Sequence, residues 1–105
     1  MQDASKLVEQ AIDLSDAEDY AGAVHLLTKA ISSDPTNAQA YIERGMALLN
    51  LNKGAEAKAD FDHALANDPD FPGALDWRAR AAETLGDHEA AAEDRLRFHR
   101  GGARG

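Results

Sequence analysis

The chain repeats itself every 34 residues, and that period limits its fold more than any other feature of the sequence. Asp34-Pro35 returns as Asp68-Pro69. The same shift lays Ala23 on Ala57 and Ala91, Leu27 on Phe61, Ala30 on Ala64, and Ile31 on Leu65. Upstream it lays Leu7 on Tyr41 and Leu75, Ala11 on Gly45 and Ala79, and Leu14 on Leu48. Small residues recur where small ones stood and large where large, as a stack of identical packing units requires.

Each unit reads as two helices. Tyr41, Ile42, Gly45, Leu48 and Leu49 follow the spacing of one helical face, and Asn52-Lys53-Gly54 interrupts it. The pattern resumes at Ala57, Phe61, Ala64 and Leu65, then stops at Asn67-Asp68-Pro69, because proline cannot continue a helix interior. Gly86 suits a left-handed helix end, Asp87 suits the following N-cap, and Pro72 suits the first turn of a helix. The spacing predicts six helices over 4–17, 20–33, 38–51, 54–67, 72–85 and 88–99, with a frayed tail at 101–105. The expected architecture is a single all-α solenoid of helical hairpins, its repeats at about 4–37, 38–71 and 72–100.

These motifs resemble the tetratricopeptide repeat (TPR) family, whose 34-residue helix–turn–helix carries W-x2-L-G-x2-Y, A-x3-F and P. The middle unit offers Tyr41-x2-Arg44-Gly45-x2-Leu48, Ala57-x3-Phe61 and Pro69. The first keeps Leu7, Ala11, Leu14, Ala23, Leu27, Ala30 and Pro35, and the third keeps Leu75, Ala79, Leu85, Gly86 and Ala91. The third departs at Arg95, in the register of Leu27 and Phe61, and at Phe98, in that of Ala30 and Ala64. The resemblance covers about residues 4–99 and implies a right-handed superhelix. Close approach of the paired helices is expected where Gly45 meets Ala57. The terminal helix, with Arg95, Arg97, His99 and Arg100, reads as a polar cap.

Charge narrows the function classes. The formal net charge of −8 disfavours nucleic acid, whose phosphates it repels. Residues 1–37 hold seven acids against two bases, whereas every charge beyond Asp94 is an arginine. No apolar run approaches membrane-spanning length, so no membrane partner is expected. The chain has no cysteine, which suits the cytoplasm and rules out thiolate metal sites. The start lacks the basic and apolar regions of a secretory signal. Catalytic motifs such as H-E-x-x-H and G-x-S-x-G are missing, and the four histidines fall at unrelated phases of the repeat. Asp60, Asp62, Asp68 and Asp70 lack the glycine and glutamate of a calcium loop and read as a solvated helix face and turn. A chain without enzymatic activity, cofactor or metal is expected.

The resemblance implies a concave surface lined by the first helix of each unit. Val8 and Ile12, with Ser5 and Ser15, come from the first unit; Gln39, Ile42, Met46, Leu49 and Asn50 from the second; Asp76, Arg80 and Glu83 from the third. Val8, Ile12, Ile42, Met46 and Leu49 are expected to form one exposed apolar patch, and such patches mark interaction sites. One branch of the family grips acidic chain ends with a lysine–asparagine–arginine clamp. Its positions here are Val8, Ile12, Glu43, Gly73 and Trp77, none of which matches. The expected partner is therefore a protein or peptide with an apolar or amphipathic segment. The alternative is a self-assembling repeat protein. Its weak homo-oligomer would form through the groove or through the acidic and basic ends of the solenoid.

Overall fold

The computed structural model describes residues 3–104, with side chains followed as far as Arg100. Among them every regular element is a helix: α1 (Ala4–Asp16), α2 (Tyr20–Ser33), α3 (Ala38–Asn50), α4 (Gly54–Asn67), α5 (Ala74–Thr84) and α6 (His88–Arg104). Short polar side chains fix four of the starts by accepting from otherwise unpaired N–H groups. Asp3 accepts from Ser5 at 3.1 Å, Asp19 from Gly22 at 3.0 Å, Asn37 from Ala40 at 3.1 Å and Asp87 from Ala90 at 3.1 Å. Asp34 and Asp68 end α2 and α4, each turning out of the helix just before a proline.

Within each hairpin the turn places one residue in the left-handed region, always at the same phase: Glu18 (φ 63°), Asn52 (φ 61°) and Gly86 (φ 80°). Only the last is the residue type that adopts this conformation freely.

Two boundaries depart from the sequence pattern. α5 starts at Ala74 rather than Pro72, because Gly73 has φ +80°, which a right-handed helix cannot contain, so Pro72 belongs to the turn before it. α6 runs on through Gly101 and Gly102 to Arg104, where a frayed tail is expected. Each residue added to an existing helix gains a hydrogen bond without a new nucleus, which offsets the entropy of the glycines. Gly105 lies outside the described residues. No described helix is long and apolar enough to cross a membrane.

The helices pair as α1–α2, α3–α4 and α5–α6, and each pair stacks on the next through α2 on α3 and α4 on α5. The odd-numbered helices also touch one another, α1 with α3 and α3 with α5, while among the described residues the even-numbered ones do not. The odd row is therefore the inner, tighter side of the stack.

The core is built the same way twice and then thins. Leu7, Val8, Ala11, Ala23, Leu27 and Ala30 of the first hairpin enclose Ala40 and Ala47 from α3. Tyr41, Ile42, Leu48, Ala57, Phe61 and Ala64 enclose Ala74 and Ala81 from α5. In the third hairpin only Ala79, Ala82 and Ala91 are buried together. Gly45 makes room for the Phe61 ring rather than for Ala57: a Cβ there would lie 2.5 Å from Phe61 Cε1.

Two ion pairs occur in the same register. Arg44 grips Asp60 with both arms, Nε to Oδ2 at 2.8 Å and Nη2 to Oδ1 at 2.7 Å. Arg78 grips Asp94 likewise, both at 2.7 Å. The remaining guanidinium nitrogen reaches back one unit, Arg44 to Thr28 at 3.3 Å and Arg78 to Asp62 at 3.1 Å. Each arginine thus ties three helices. Asp60 is buried, which corrects its reading as part of a solvated acidic face. A carboxylate can occupy that position because a planar guanidinium meets both its oxygens. Asp68 does remain in a solvated turn, where it accepts from Asp70 N–H at 3.1 Å.

Candidate functional site

The inner faces of α1, α3 and α5 form the concave surface, and the structure divides the expected groove residues into two sets. Val8 and Ile42 are each only 3% exposed and belong to the core. The reason is the contact between inner helices: one flank of α1 is covered by α3, and one flank of α3 by α5. The expected patch of five exposed apolar side chains therefore contracts to Ile12, Met46 and Leu49, all half-buried along the rim of the two main clusters. Ser5, Gln39 and Asn50 are exposed, Ser15 is half-buried, and the Asn50 amide donates to the Met46 carbonyl at 3.0 Å.

The third unit closes this surface with charges that satisfy one another. Arg80 Nε meets Asp76 Oδ2 at 3.1 Å, and its guanidinium lies 4.7 Å above the Trp77 ring. Glu83 is ion-paired with Arg95 of α6, which holds the Glu83 carboxyl below its usual range. Arg95 stands in the register of Leu27 and Phe61, so a core position of the earlier units has become part of the groove's edge.

Three carboxylates one helical turn from Ile12 or Met46 have no such partner. Glu9 and Asp16 are exposed and Glu43 is half-buried on the same inner helices, and none is in an ion pair among the described side chains. Burial, with the Asp16 charge second, pushes the Glu43 carboxyl above the usual carboxylate range. The motif pattern passes over these residues because it scores only the apolar positions. Their signal was Glu9 and Glu43 standing 34 apart, directly beside Val8 and Ile42.

All four histidines are exposed, and His63 stacks on Tyr41 at 5.2 Å. Among the described residues no three His, Asp or Glu side chains converge as metal ligands would. A crevice on the outer side is lined by Val24, Thr28, Arg44, Glu56 and Asp60, but its arginine is already engaged.

Known proteins resemble this chain in sequence and in fold. A family model described as Tetratricopeptide repeat matches residues 14–72. Hsc70-interacting protein 1 of Drosophila melanogaster is 37% identical over 94 residues, covering 90% of this chain and 25% of that protein. A DnaJ homolog subfamily C member 7 homolog of Schizosaccharomyces pombe is 36% identical over 89 residues, covering 81% of this chain and 19% of that protein. The chain thus spans about a quarter or less of these relatives. Among solved structures, the first TPR of Spaghetti (RPAP3), bound to HSP90 peptide SRMEEVD, aligns with a TM-score of 0.92 at 28% identity. That alignment covers 95% of this chain and 79% of the other.

Proposed function

Because the chain belongs to the tetratricopeptide repeat family, we propose that it is a protein-interaction module holding a peptide or amphipathic helix against the inner faces of α1, α3 and α5. The observation that carries this reading is the row of half-buried Ile12, Met46 and Leu49 on the concave side, open to a partner yet not needed to fill the core. A side chain half covered in the free protein still has apolar area to lose to a ligand. The likeness to a domain bound to an HSP90 peptide supports a peptide as the kind of partner. Catalysis is not part of this reading, in which Arg80 and Arg95 are engaged with Asp76 and Glu83.

A titration of isotope-labelled chain with amphipathic peptides tests the proposal. Amide shifts clustered at Ile12, Met46, Leu49 and Arg80 are the expected result. Shifts confined to α2, α4 or α6, or none at all, would refute it. Groove variants belong at Met46 and Leu49, because Ile42 is core and Ile42→Glu would unfold the chain before it reported on binding.

A further inference from the structure

The groove of the first two units has a chemistry opposite to what an acidic chain end requires. Its apolar strip, Ile12 with Met46 and Leu49, is accompanied on the same helices by Glu9, Asp16 and Glu43. Among the described side chains no lysine or arginine is paired with any of the three, and the two arginines beside the groove, Arg80 and Arg95, are spent on Asp76 and Glu83. We propose that this groove selects an amphipathic segment bearing lysine or arginine, and rejects acidic segments and free terminal carboxylates. The inference rests on the groove reading above and specifies its ligand.

The physical case is one of complementarity on a partly dry surface. Glu43 is half-buried and lacks a counter-charge, so its ionised form is poorly solvated and poorly compensated in the free protein. A ligand cation placed beside it and Asp16 supplies the missing partner, while the ligand's apolar side chains cover Ile12, Met46 and Leu49. An anionic ligand in the same place adds a like charge near a low-dielectric wall and is repelled. The attraction acts over roughly the ~8 Å screening distance of physiological salt, so it also favours basic segments during encounter.

Two amidated peptides of about four helical turns, with identical leucine spacing and either lysine or glutamate at the polar positions, test this by calorimetry and amide-shift mapping. A glutamate peptide with a free carboxylate and the peptide SRMEEVD serve as further acidic probes. The lysine peptide is expected to bind at least about tenfold more tightly than any acidic one at low salt, with the gap narrowing as salt rises. In the double variant Asp16→Asn with Glu43→Gln, the lysine peptide should lose most of that advantage and the acidic peptides should bind no worse. Both changes lie outside the core, and circular dichroism checks that the fold is kept. Equal groove binding of lysine and glutamate peptides, or a double variant without effect on their ratio, overturns the charge selection and leaves the groove reading standing. If no peptide shifts the inner-helix amides, the groove reading itself falls, and this inference with it.

Discussion

The first hairpin and the second differ at the same places in the repeat, and the difference separates what the fold needs from what a stack of units adds. α3 turns Ala40, Arg44 and Ala47 toward the preceding outer helix, and α5 repeats the set with Ala74, Arg78 and Ala81. In α1 the corresponding residues are Lys6, Gln10 and Asp13, all exposed. The partner position follows suit: Asp60 and Asp94 are buried carboxylates, but Leu26 stands in their register in α2. Alanine is thus the residue of a stacked face, and the arginine–aspartate clasp belongs to units that have a neighbour to clasp. A hairpin closes without it, through Leu7, Leu27 and their alanines. The same comparison argues against end-to-end stacking of two copies, because α1 offers charged side chains where a stacking helix has alanine.

Breaking the clasp should give the largest effect. Asp60→Ala leaves Arg44 part-buried without its counter-charge and is expected to cost about 3–5 kcal/mol, enough to unfold much of a chain this small. Thermal melts would show it, and Leu26→Ala at the matching position of the first hairpin should cost distinctly less. Replacing the pair with apolar residues, Arg44→Met with Asp60→Leu, should recover most of the loss, because the middle hairpin then resembles the first. A melting temperature untouched by Asp60→Ala would mean the clasp is ornamental.

Steric fit comes next. Gly45→Ala forces a methyl into the Phe61 ring and should destabilise by about 1–3 kcal/mol, measured by urea titration. Ala79→Gly, in the same register of the third unit, should cost about 1–2 kcal/mol through backbone entropy and the loss of one buried methyl. A Gly45→Ala variant as stable as the parent would show that Phe61 shifts aside.

Turn strain sharpens the comparison in the other direction. Glu18 holds a left-handed conformation at the C-terminal end of α1, where a negative charge also opposes the helix dipole. Glu18→Gly should raise stability by about 1 kcal/mol, and Asn52→Gly by less, because asparagine tolerates φ > 0 better.

The smallest effect concerns Glu43. Its carboxyl titrates above its unfolded value, so ionisation opposes folding. Its contribution is most favourable at acid pH, where the group is protonated in both states, and is lost as pH rises through the folded pKa. Glu43→Gln should therefore stabilise by about 0.5 kcal/mol at neutral pH, and melts at acid pH should bring variant and parent together.

Much of this was legible in the residues. The 34-residue shift placed all six helices, and Gly86 and Asp87 declared their turn and cap. What the pattern missed depends on neighbours that periodicity cannot represent. Val8 and Ile42 lie in groove phase on their own helices and are buried only because another inner helix covers that flank. Asp60 looks like any surface acid until Arg44, sixteen residues earlier, is seen to reach it; the recurrence of the pair as Arg78 and Asp94 was the available clue. Glu18 gave no sign of its left-handed backbone, since glutamate does not prefer one.

The uneven enclosure of the helices also sets a clock. α3 is hemmed in by α1, α2, α4 and α5, whereas among the described residues α5 is the one helix that α6 packs on. Amide protons report such differences as exchange times, because each waits for the opening that exposes it to water. Those of α6 should be replaced first, with the turns around Asp94 delayed by its hold on Arg78. Those of α3 should be replaced last, on the timescale of the whole chain coming apart. The protein would thus unravel from its third unit toward α3, with the two-unit block that carries Ile12, Met46 and Leu49 outlasting the third unit.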